Sequence, residues 1–145
     1  MKEDLTIFYT DDDNDDLDFF KDVTSAIDDN ITVVTHDRGD KLLQALNNQP
    51  PSPQIIFLDL NMPGKNGFEV LKDIKNKEEW KDIPVVIFST SSDEQSISKS
   101  RELGASYYLP KQSSFEAFKK SISHTLTINW KTFIPSPTNF IYRTQ

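Results

Sequence analysis

Gln54-Ile55-Ile56-Phe57-Leu58-Asp59-Leu60, running into Asn61-Met62-Pro63-Gly64, is the segment from which the architecture follows. Gln54 to Leu60 reads as a strand whose Ile55 to Leu58 stretch is apolar without polar alternation and which is closed by a Pro-Gly turn, as expected of a strand buried on both faces. Outward from it, short apolar runs alternate with amphipathic stretches. Upstream, Leu5 to Thr10 reads as a strand, and Leu17, Phe20, Val23 and Ile27 follow at helical spacing. Ile31 to Thr35 is a second strand, and Lys41 to Asn48 a second helix. Downstream, Asn66 with Glu69 three residues later predicts a capped helix through Phe68, Leu71 and Ile74, and Pro84 to Phe88 predicts a β-branched strand. Ser91 and Ser92, each with an acid or amide three positions on, predict the cap of a fourth helix, with Gly104 past its end. Tyr107 to Leu109 is a fifth strand. Ser113 with Glu116 predicts the cap of a fifth helix that carries Phe115, Phe118, Ile122 and Leu126 on one face.

Five strands, each followed by a helix and nearly all apolar inside, imply a five-stranded parallel sheet with helices on both faces. This is a doubly wound (βα)5 α/β sandwich. Its functional groups are expected beyond the carboxyl ends of the strands, where strand order reverses. The 145 residues are enough for one domain that buries roughly 70% of its unfolded surface. Hydrophobic residues make up 36% and charged residues 27%. No apolar run nears the ~20 residues needed to cross a bilayer. Met1-Lys2-Glu3-Asp4 begins no secretion signal, so a cytoplasmic protein is expected. The absence of cysteine excludes disulfides and thiolate chemistry. A net charge of −7 makes direct nucleic-acid binding an unfavourable expectation.

The strand ends carry Asp11-Asp12-Asp13, Asp59, Ser89-Thr90 and Lys111. A phosphate-binding first loop would present Gly, Ser or Thr, whereas carboxylates here repel anions and attract a cation. Carboxylates gathered this closely need protons or a divalent metal, and an all-oxygen donor set points to Mg2+ or Mn2+. Asp59 stands apart at the end of an apolar strand, where a carboxylate beside a metal is placed to attack a phosphoryl group. Lys111 supplies a mobile cation and Ser89 a hydroxyl donor.

These residues resemble the receiver domain of bacterial two-component response regulators. The resemblance runs from Leu5 to about Thr125: the pair Asp11-Asp12, the segment Phe57 to Gly67, Pro84 to Ser89, and Gly104-Ala105 through Lys111, with 30 residues from Asp59 to Ser89 and 22 from Ser89 to Lys111. It implies a flavodoxin-like (receiver) topology and a phosphoprotein of a phosphorelay. Asp59 would be the phosphoacceptor, and Asp11, Asp12, Asp59 and the backbone carbonyl of Asn61 would hold Mg2+. Lys111 would contact the phosphoryl group, Ser89 would be the switch hydroxyl and Tyr108 the aromatic that swings with it. The implied partners are a sensor histidine kinase or a histidine phosphotransfer protein upstream and a protein that reads the altered surface downstream. A homodimer is left open. By the same resemblance the domain would assist its own phosphorylation and dephosphorylation as a signalling phosphoacceptor and would not be an enzyme acting on other substrates. One departure is Gln112, where most receivers have proline after the lysine.

Competing readings fare less well. A calcium loop beginning at Asp11 would need Gly where Asp16 stands. A strand-end Asp phosphatase resembles Asp-x-Asp, but Asn61 follows Asp59-Leu60. A receiver-fold interaction module that no longer cycles phosphate rests on Gln112 alone. Asp13, Asp15, Asp16 and Asp18 read as a solvated loop and helix start, and His36 and His124 as ordinary histidines. The receiver is expected over residues 1–127. Residues 128–145 form an extension too short for a DNA-binding effector, which suggests a stand-alone receiver. Trp130, Phe133 and Phe140 make the extension too apolar for a disordered end, so it is expected to dock on the domain or on a partner.

Overall fold

The computed structural model describes residues 4–143. Residues 1–3, on which the reading of no leader falls, and residues 144–145 of the extension lie outside the described residues. Five strands and five helices alternate: β1 (Leu5–Thr10), α1 (Asn14–Ile27), β2 (Ile31–His36), α2 (Gly39–Asn47), β3 (Ile55–Leu58), α3 (Gly67–Lys75), β4 (Val85–Ser89), α4 (Glu94–Glu102), β5 (Tyr107–Pro110) and α5 (Phe115–Thr127). The sheet is parallel throughout, in the order β2-β1-β3-β4-β5. This is the doubly wound, flavodoxin-like arrangement expected from the sequence. The chain leaves β1 toward β2 and returns on the other side to β3, so strand order reverses between β1 and β3. There Thr10 pairs with Leu58, and the next residue on each strand is an aspartate.

The two-residue period of the strands divides the core. Ile7, Tyr9, Ile55, Phe57, Val86 and Phe88 face α1 and α5, where Phe20, Val23, Phe118 and Ile122 meet them. Phe8, Ile56, Leu58, Val85, Ile87 and Tyr108 face the other way, onto Leu42 and Leu46 of α2 and Val70, Leu71 and Ile74 of α3. Both faces of β3 and β4 are buried, which is why their sequences show no polar alternation.

Local signals are met at α3, where Asn66 and Glu69 form both halves of a capping box. They are met again at Gly104, whose φ of 100° is a left-handed helix end. Two expected caps move. Asp93, not Ser91 or Ser92, caps α4 by accepting from Ser96 N–H at 3.0 Å, because the Ser91 hydroxyl is engaged by Asn61 Nδ2 at 3.2 Å. Ser114, one residue beyond Ser113, caps α5 through Ala117 N–H. At that helix start Phe115 stays 38% exposed while Phe118 and Ile122 enter the core. β3 ends at Leu58 rather than Leu60, because the chain turns at Asp59 to start the loop into α3.

Candidate functional site

Period two on β1 puts Tyr9 and Asp11 on one face, and the loop that follows carries Asp12 and Asp13 over the end of the sheet. Asp13 leaves the cluster to cap α1, accepting from Asp15 and Asp16 N–H. Asp59 emerges one strand away, its N–H still bonded to Thr10 carbonyl at 3.0 Å. Carboxylate oxygens of Asp11, Asp12 and Asp59 lie within 4.8 Å of one another. Asp11 is fully buried and Asp59 nearly so. The turn after Asp59 is tight: a β-carbon on Gly67 would sit 2.3 Å from Asp59 carbonyl oxygen and 2.7 Å from Leu60 Cα, so only glycine starts α3 here.

Asp11 is anchored on three sides. The buried Tyr9 hydroxyl donates to Oδ2, Asp13 N–H donates to Oδ1 at 3.0 Å, and Lys111 Nζ lies 2.7 Å from Oδ2. Lys111 comes from the far side of β4, its backbone N–H bonded to Ser89 carbonyl at 2.9 Å. Its ammonium also meets Asp16 at 2.8 Å and stands 3.9 Å from Asp59 Oδ1. Burial opposes the charge on Lys111, but the bonds to Asp11 and Asp16 and the charges of Asp59 and Asp11 outweigh it and hold its pKa above the ordinary lysine value. Asp59 goes the other way. Burial first, and then the Asp11 charge, push its pKa up to about 7 against the opposing pull of Lys111 and the Asn61 backbone. The site therefore holds more negative charge than Lys111 neutralises. An all-oxygen donor set in that condition fits a hard divalent cation.

On the other side of Asp59, the buried Ser89 Oγ accepts from Asn61 Nδ2 at 3.3 Å and from Ser91 N–H at 3.2 Å. The Tyr108 ring is fully buried, and its hydroxyl donates to Ser91 carbonyl at 2.6 Å. The fold thus brings Asp11, Asp12, Asp59, Asn61, Ser89 and Lys111 to one crevice, with Tyr108 one contact behind. Among the described residues the cis peptides are Gln49–Pro50 and Pro50–Pro51, so Lys111–Gln112 is trans, and the Gln112 side chain bonds back to Pro110 carbonyl. Two participants escape a sequence reading. Asp16 is not merely solvated, because it shares Lys111 with Asp11. Tyr9 reads as a core aromatic but carries a hydroxyl that holds a site carboxylate.

The family model for the response regulator receiver domain matches residues 7–123. The chain belongs to this receiver family. Among curated relatives, this receiver is 42% identical over 72 residues to response regulator Rcp1 of Synechocystis sp., matching 50% of this chain and 49% of that protein. It is 43% identical over 83 residues to the sensory transduction protein LytT of Oceanobacillus iheyensis, matching 57% of this chain and 32% of that one. The chain thus spans half or less of the length of these curated relatives. Among solved structures, the phosphorylated cyanobacterial phytochrome response regulator RcpA superposes with a TM-score of 0.78 at 29% identity, over 93% of this chain and 99% of that one. The Mn2+-bound form of response regulator Rcp1 gives 0.74 at 30% identity, over 92% and 99%. The receiver is a domain of two-component signalling, and its acidic cluster fits a divalent metal site. Among the described residues no helix is long and apolar enough to cross a membrane.

Proposed function

We propose that this receiver, residues 1–127 with an extension over 128–145, takes a phosphoryl group onto Asp59. The donor would be a phosphohistidine of a sensor histidine kinase or histidine phosphotransfer protein in the cytoplasm. The observation that carries this reading is the convergence of Asp11, Asp12 and Asp59 at the reversal of strand order, with Lys111 facing them. Asp11, Asp12, Asp59 and the Asn61 carbonyl would hold Mg2+, which when bound screens the carboxylates and the oxygens of the transferring group. An Asp59 oxygen attacks phosphorus and the phosphorus–nitrogen bond of the donor breaks, its electron pair returning to the imidazole. Lys111, 3.9 Å from Asp59, moves from Asp16 toward the new dianion as a point charge. Ser89 Oγ already accepts two N–H groups, so its own proton is available to a phosphoryl oxygen. A downstream protein then reads the changed surface around β4 and β5.

Intact-mass measurement after incubation with acetyl phosphate tests this. One phosphoryl adduct is expected with Mg2+, and none without it or in Asp59→Asn. A folded, metal-binding protein that never gains mass would instead favour a receiver-fold interaction module that works without phosphate.

A further inference from the structure

The C-terminal extension reaches the phosphoacceptor crevice through Tyr108. β5 is an edge strand, and exposed edges need cover. The extension supplies it at one residue. Tyr108 N–H donates to Phe140 carbonyl at 2.8 Å and Tyr142 N–H donates to Tyr108 carbonyl at 2.9 Å, an isolated parallel bridge between Tyr108 and Ile141. Phe140 is 1% exposed in the same core cluster as Tyr108 and Leu58, its ring centroid 6.4 Å from that of Tyr108. At its other end Tyr108 donates to Ser91 carbonyl, Ser91 N–H donates to Ser89 Oγ, and Asn61 Nδ2 reaches both serine hydroxyls. Every link from Phe140 to the residues flanking Asp59 is a direct contact. The Tyr108 ring, fully buried, is already inward beneath the extension.

We infer that Phe140 is a positioning residue for the phosphoacceptor site. By seating Tyr108 inward it holds the Ser89–Ser91 turn in the arrangement that presents the Ser89 proton to Asp59. By linkage, a phosphoryl group on Asp59 strengthens the hold of the extension on β5, since two events that favour one arrangement favour each other equally. The inference rests on the phosphoacceptor reading above, and its test separates the two.

The full-length chain is titrated with beryllofluoride in saturating Mg2+ as a phosphoryl mimic, and exchange of the Tyr108 and Tyr142 amides is followed. In the native chain the mimic should slow Tyr142 amide exchange at least about five-fold, the lower end of typical couplings between sites. Phe140→Ala should weaken beryllofluoride binding by a similar factor and leave the affinity for Mn2+ alone unchanged, with Phe140→Leu recovering most of the loss. A purely structural role would not separate the mimic from the metal. Tyr142 exchange indifferent to the mimic in the native chain overturns the inference whether or not the variant folds, as does a folded Phe140→Ala with native beryllofluoride affinity. A native chain that neither binds the mimic nor gains mass from acetyl phosphate overturns the phosphoacceptor reading, and this inference with it.

Discussion

Tyr9 and Asp11 sit two residues apart on one strand face, and their contact joins the hydrophobic core to the acidic crevice. The Tyr9 ring is wedged between Phe20 and Phe88, with centroids 4.5 and 5.6 Å away, so its hydroxyl has little freedom. Burial first, and then the adjacent Asp11 charge, hold the phenol far above its ordinary pKa, so it remains a donor. Groups that orient a metal ligand typically contribute 10–100-fold in affinity. Tyr9→Phe should therefore fold and weaken Mn2+ binding by about ten-fold, measured by calorimetry; native affinity would show that Asp11 needs no such anchor. Asp59 makes a pH prediction. Its folded pKa of about 7 lies above the ordinary aspartate value, so from about pH 4 to about pH 7 the folded state binds the extra proton. Stability from this group falls as pH rises through that window. Asp59→Asn should therefore gain in urea midpoint relative to the native chain between pH 5 and pH 8, and a gap constant with pH would refute the assignment. Protonation competes with a cation in the same window, so Mn2+ affinity should drop by about ten-fold between pH 8 and pH 6.

The elements place these groups by their ends. The loop between β3 and α3 depends on Gly67 packing against the backbone of Asp59 and Leu60. Gly67→Ala should cost about 2 kcal/mol, typical of overpacking a closed site, and should slow phosphorylation because the turn that aims Asp59 must open. Thermal unfolding with the acetyl phosphate assay would show both effects, and an unchanged melting temperature would contradict the close approach. Helix caps show how far local pattern carries. Asn66 and Glu69 could be read in advance because both halves of their box are local. Ser91 could not, because its hydroxyl is drawn to Asn61, 30 residues earlier, which leaves Asp93 to cap α4. Asp16 was illegible for a related reason: an aspartate in a first helical turn has the same local signature whether it faces water or Lys111.

The extension closes the edge that the (βα)5 arrangement leaves open beside β5. Trp130 and Phe133 stack edge-on against Tyr107 at 5.9 and 6.0 Å on one side, while Phe140 enters the core beside Tyr108 on the other. Removing residues 128–145 should cost at least about 3 kcal/mol, the usual loss for one buried aromatic. It should also raise the sedimenting mass, since an uncovered edge strand invites pairing. Native stability and mass after truncation would show that these contacts contribute nothing. Strand and helix order, the parallel sheet and the chemical groups at each strand end could all be read from the amino-acid string. They depend on period and turn chemistry, which act over a few residues, and on handedness rules that leave only a few arrangements for five βα units, among which the receiver resemblance pointed to the observed order β2-β1-β3-β4-β5. The path of the extension, the grip of Tyr9 on Asp11 and the resting place of Lys111 emerged only in the folded chain. Lys111 meets partners 95 and 100 residues away, and contacts at that separation are set by how packed elements share space and charge, which no local pattern encodes.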